Sequence, residues 1–131
     1  MTDSNTLANK IGAITLFTED REAAKAFYRN FLSAEPVYED DDSAVFMVGD
    51  TMVNVLRISA VPELIEPSKR AAEGLRSVYT LPVDDVDKAV TDLSGRGIEP
   101  QSGPIDRPWG IRTANFVDPD GHLWELSCDL E

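Results

Sequence analysis

The sequence predicts an α+β fold of two βαβββ modules whose strands form a curved mixed sheet around a cleft. Three observations point to it. A strand-helix-strand-strand-strand pattern runs through the chain twice, with equivalent features such as Leu16/Leu81 and Asp20/Asp85 about 65 residues apart. Each half offers one sheet face and one amphipathic helix, too little to bury a core alone. The length of 131 residues suits one compact domain holding both halves. The expected organisation is a flexible N-terminus over 1–9, a first module over 10–59, a linker over 60–74 and a second module over 75–131.

The β-branched and apolar run Ile11 to Thr18 reads as a buried strand. Asp20 follows where a helix N-cap belongs, because its carboxylate can accept bonds from the first free backbone N–H groups. Ala23, Ala24, Phe27, Tyr28, Phe31 and Leu32 recur at three- and four-residue spacing, so a helix over Arg21 to Leu32 has one apolar face; Pro36 forbids its continuation. Short strands are expected over Val37 to Glu39, Ala44 to Val48 and Met52 to Ile58, with turns at Asp40-Asp41-Asp42 and Gly49-Asp50. The acidic triplet reads as a solvated turn.

Pro62, Pro67 and mixed charge mark the stretch from Val61 to Gly74 as a connection with room for one helical turn. The same grammar then restarts. Val78 to Val83 reads as a strand, Asp85 as a second N-cap, and Val86, Ala89, Val90 and Leu93 as the apolar face of a helix ending at Gly95-Arg96-Gly97. Ile98-Glu99-Pro100 echoes Ala34-Glu35-Pro36 after its own helix. Ile111 to Val117 and Leu123 to Cys128 are the last strong strands, joined by the Asp118-Pro119-Asp120-Gly121 turn.

Composition excludes several classes of function. No apolar run approaches the roughly 20 residues that span a bilayer, and no signal peptide is recognisable. The single cysteine, Cys128, reads as a strand residue and agrees with a reducing, cytoplasmic setting. Twelve basic against 24 acidic residues give a net charge of -12. That charge repels nucleic acid and anionic lipid and attracts a cationic small molecule, or else serves solubility alone.

Ile14-Thr15-Leu16-Phe17 through Asp20, Ala26-Phe27-Tyr28 with Phe31-Leu32, the helix entry Val83-Asp84-Asp85-Val86, and above all the hairpin Phe116 to Leu126 around Asp118-Pro119-Asp120-Gly121 carry a resemblance. Over nearly the whole chain they resemble the glyoxalase/bleomycin-resistance/dioxygenase (vicinal oxygen chelate) superfamily. Pro108-Trp109-Gly110-Ile111-Arg112 is similar to its bleomycin-resistance branch. The resemblance implies a homodimer and, in metal-dependent branches, an ion held from the first and last strands of the modules. By that resemblance the two histidine positions fall on Ala13 and Val78, and the fourth-strand ligand on Asn54 or Val55. Only Glu125 matches a ligand position. With one histidine in the chain, His122 in the hairpin turn, the expectation is no metal and no cofactor.

Strand alternation places Ala13, Thr15 and Phe17 on one face, Val78 and Thr80 on one face, and Leu123, Glu125 and Ser127 on one face. If the family geometry holds, these line the cleft together with Asn54, Trp109 and Arg112. Trp109 either stacks on a planar or cationic ligand or plugs the end of the sheet. Glu125 either binds a cationic group, acts as a general acid or base, or pairs with Arg112 as a structural remnant. Three functions follow. One is a ligand-binding homodimer that sequesters a cationic or aromatic antibiotic-like molecule. Another is a lyase, isomerase or dioxygenase-like enzyme using Glu125 on a small carbonyl or aromatic metabolite. The third is an interaction domain that kept the fold alone.

Overall fold

Two four-stranded mixed sheets, each backed by one helix, make up the protein; the structure, a computed structural model, describes residues 10–71 and 74–130. The polar start expected at 1–9 lies outside them. The first sheet comprises β1 (Ala13–Thr18), β2 (Tyr38–Glu39), β3 (Ser43–Val48) and β4 (Thr51–Arg57), in the order β1-β4-β3-β2. The second comprises β5 (Tyr79–Pro82), β6 (Ser102–Asp106), β7 (Ile111–Val117) and β8 (Leu123–Asp129), in the matching order β5-β8-β7-β6. In each, the first strand runs parallel to the last and the rest are antiparallel. The duplication expected from the sequence is therefore present in the backbone.

Helix α1 (Arg21–Phe31) starts as its sequence dictates: the Asp20 carboxylate accepts from the Ala23 N–H at 3.1 Å. The second module repeats the device, Asp85 accepting from the Lys88 N–H at 3.2 Å above α3 (Val86–Ser94). Each cap satisfies one of the donors a helix start leaves open. The linker holds a short helix, α2 (Val61–Ile65), after a 3-10 turn at Ile58–Ala60. Strand β6 was not visible as a strand in the sequence, since Gly103 and Pro104 are poor strand formers. Gly103 sits there at φ +88, and a Cβ on it would lie 2.5 Å from the Thr113 carbonyl oxygen, so only glycine lets β6 approach β7.

One core joins both modules on the helix side of the sheets. Tyr28 and Phe31 of α1 meet Trp124 of β8 at ring separations of 6.1 and 5.7 Å, and Phe31 meets Phe116 of β7 at 5.9 Å. Buried aromatics of this kind contribute on the order of 1.5–3 kcal/mol each through area removed from water. A polar chain runs through the same place: the Trp124 indole N–H donates to the Tyr28 hydroxyl at 3.0 Å, which donates to the buried Asp118 carboxylate at 2.6 Å. Asp118 also accepts from the backbone N–H groups of Asp120 and His122. Burial, and then the Asp118 charge, push the Tyr28 phenol far above its ordinary range, so it stays a donor. Two further bonds link β1 to the β7–β8 turn, Glu19 N–H to Asp120 and the His122 ring to the Phe17 carbonyl. No described helix is long and apolar enough to cross a membrane.

Candidate functional site

The faces of the two sheets turned away from the helices carry the candidate residues. Leu16, Val53, Val55, Trp124 and Leu126 point into the core, so alternation sends Thr15, Asn54, Leu123 and Glu125 to the open side. The ladder then assembles a three-residue row in each sheet. Thr15, Asn54 and Val45 face one another across β1, β4 and β3. Thr80, Glu125 and Asn115 do so at the same positions of β5, β8 and β7. In the second row the Thr80 hydroxyl donates to the Glu125 carboxylate at 3.0 Å, and Glu125 is half-buried. The side-chain oxygens of Asn54 and Asn115 are buried without a partner among the described residues.

Arg112 does not join this site. Alternation places it with Ala114 and Phe116 on the helix side of β7, where it donates to Asp87 of α3 and to Asp106 of β6. Those hydrogen bonds hold its guanidinium above its usual range. The pairing of Arg112 with Glu125 considered from the sequence is therefore not formed. An arginine that does reach the open side of β7 is Arg107, whose Nε–H donates to the Thr113 hydroxyl at 3.0 Å. Thr113 and Asn115 share the open face with Glu125, a grouping the alternation of β7 could have shown; Arg107, in the hairpin turn, had no such signal.

Trp109 stands at the tip of the β6–β7 hairpin, 67% exposed, closed behind by the Gly110 N–H to Arg107 carbonyl bond. It plugs nothing. The Arg107 guanidinium lies 6.0 Å from its ring centroid, at the outer limit of a cation–π contact. Ala13 is exposed at the start of β1, and Val78, 48% exposed, falls just before β5 rather than inside it. Thr15, Phe17 and Leu123 also line an open cavity of about 1070 Å3 between β1, the linker and the β7–β8 turn.

The positions that the family resemblance implies for an ion carry few donor atoms in this chain. Ala13 and Val78 end in hydrocarbon, which leaves the Asn54 amide on the first sheet and the Glu125 carboxylate on the second. Among the described residues no group of three or more His, Cys, Asp or Glu side chains is placed to hold a metal. A lone carboxylate with an amide is a poor set for a first-row ion.

Paired βαβββ modules with open strand faces define the class of protein, and sequence comparison agrees. Residues 10–126 match the Glyoxalase/Bleomycin resistance protein/Dioxygenase superfamily, and the chain belongs to it. A Bacillus subtilis (strain 168) protein, the uncharacterized YraH, is 31% identical over 123 residues, spanning 89% of this chain and 96% of its own. A glyoxalase/bleomycin resistance protein/dioxygenase from Nocardioides superposes with a TM-score of 0.81 at 25% identity, covering 98% of this chain and 88% of that one. A lactoylglutathione lyase from Agrobacterium tumefaciens shares the fold, with a TM-score of 0.73, 22% identity and coverage of 92% and 93%.

Proposed function

We propose that this superfamily member binds a small cationic or aromatic molecule without a metal, on the open strand faces, and acts by sequestration as a homodimer. The observation that carries the reading is the Thr80–Glu125 pair: a half-buried carboxylate at the centre of β8, oriented by a hydroxyl and not neutralised by Arg112. A carboxylate fixed in a partly desolvated site is a recognition element for an ammonium or guanidinium group. The net charge of -12 favours the encounter. Trp109 offers an exposed indole for an aromatic group, although one approach to its ring is shared with Arg107. Dimerisation is supported by the strand order, which leaves β1 and β5 each with one unpaired edge among the described residues.

The same unneutralised Glu125 supports a second reading, in which it acts as acid or base on a small carbonyl or aromatic metabolite.

A titration followed by backbone amide NMR tests the first reading, with 4-phenylbutylamine as probe. Shifts are expected at Thr80, Asn115 and Glu125, weakened about tenfold or more in Glu125→Gln, as loss of a charge-assisted hydrogen bond requires, with the unfolding midpoint unchanged. Absence of shifts at those amides, or equal binding by Glu125→Gln, overturns it. Stoichiometric zinc, nickel, manganese or iron in protein purified without chelator overturns the metal-free part.

A further inference from the structure

The cavity of about 1070 Å3 between β1, the linker and the β7–β8 turn excludes Glu125 and gathers basic side chains at its rim. Its walls are apolar where β1 and β8 contribute Phe17 and Leu123 and where the linker contributes Leu75. Its rim carries Lys69, Arg70 and Arg76, three of the twelve basic residues of a chain with net charge -12. Ion pairs between described residues engage Arg21, Lys25, Arg29, Arg57 and Arg112, and the three rim cations enter none of them. Glu19 and Asp120 also border the cavity, but one Asp120 oxygen already accepts the Glu19 backbone N–H at 2.9 Å. The His122 ring is likewise committed to the Phe17 carbonyl. Among the described lining residues the three rim cations therefore outnumber the two carboxylates, Glu19 and Asp120, by one charge.

The structure assigns this cavity to an amphipathic organic anion, a carboxylate or phosphate on an apolar body, held by Lys69, Arg70 and Arg76 above the Phe17–Leu123 wall. The overall negative charge does not forbid it. At physiological salt, charges further away than about 8 Å are largely screened, whereas cations in direct contact with the ligand are not. Arginine and lysine on one rim supply the forked and point donors that an anionic head group accepts. The volume lies just above the usual range of small-molecule sites, about 300–1,000 Å3, as expected of a cavity open to solvent. Glu125 itself does not line the cavity, although Leu123, two residues away on the same face of β8, does.

The test titrates the whole chain with three probes of one shape, 4-phenylbutyrate, 4-phenylbutanamide and 4-phenylbutylamine, and follows the backbone amides of Phe17, Leu75, Gly121 and Leu123. The carboxylate is expected to shift this set and to bind about tenfold or more tightly than the amide, as one charge-assisted contact would give. The variant Lys69→Gln/Arg70→Gln/Arg76→Gln is expected to erase that difference. Equal binding of carboxylate and amide by the parent, stronger binding of the amine at these amides, or no shift by the carboxylate overturns the assignment. So does a triple variant that keeps the carboxylate preference. If the triple variant does not fold, the carboxylate-to-amide ratio in the parent decides alone. Thr80 and Glu125 do not line the cavity, so their response to the amine is read separately from that of Phe17, Leu75 and Gly121 to the carboxylate, and each reading can fail without the other.

Discussion

The two sheets repeat one geometry and differ in what they put at its centre. Thr15–Asn54–Val45 and Thr80–Glu125–Asn115 occupy equivalent rungs of equivalent ladders, yet the first presents a neutral amide and an isopropyl group and the second a carboxylate and an amide. Their helices differ as well. Helix α1 packs on β3 and β4 of its own module and also sets Tyr28 and Phe31 against β7 and β8 of the other, while α3 packs on β6, β7 and β8 of its own and brings no aromatic ring across. Duplication thus preserved the backbone plan and the N-caps, while the structural and chemical roles were divided. The first module supplies the helix that docks the pair, and the second supplies the charge.

The most disruptive way to break that division is to remove the acceptor that α1 docks onto. Asp118→Ala leaves the buried Tyr28 hydroxyl and two part-buried backbone N–H groups without their partner, and a loss of about 3 kcal/mol is expected. Asp118→Asn, which keeps one acceptor oxygen, is expected to lose less. Denaturant unfolding measures both, and a change below about 1 kcal/mol for the alanine variant would mean that apolar contact alone docks the modules.

A smaller effect sharpens the likeness between the modules. Asp20→Ala and Asp85→Ala each remove one cap bond of nearly equal length, 3.1 and 3.2 Å, and each is expected to cost about 1 kcal/mol. Unequal losses in unfolding experiments would show that the helix docked across modules depends on its cap differently from its counterpart. Least is expected from Arg112→Gln, below about 1 kcal/mol, because both its ion pairs are solvent-exposed. Its binding of 4-phenylbutylamine should equal that of the parent. A weakened affinity would put Arg112 back in the site.

Much of this was legible in the sequence because it rests on local chemistry. Asp20 and Asp85 cap where short-range hydrogen bonding says they must, and the two-residue period of Leu123 to Cys128 sent Glu125 and Trp124 to opposite faces. Arg112 was misplaced because β7 alternates two mixed sets: Arg112, Ala114 and Phe116 on one side, Ile111, Thr113, Asn115 and Val117 on the other. Hydrophobicity alone does not choose between them. The choice is made by Asp87, contributed from α3, which provides a partner at the edge of the covered side. The linker cations could not be placed at all, since their meeting with Phe17 and Leu123 depends on the path of a segment with no period of its own.

The chain's two tryptophans report on different parts of this arrangement. Trp124, enclosed and bonded to Tyr28, senses whether the modules are docked, while Trp109, standing in solvent beside Arg107, senses the hairpin tip alone. Their light emission should therefore separate by colour and by access to a water-borne quencher. Because the protein has only these two, docking and ligand arrival can be watched independently, without attaching any dye.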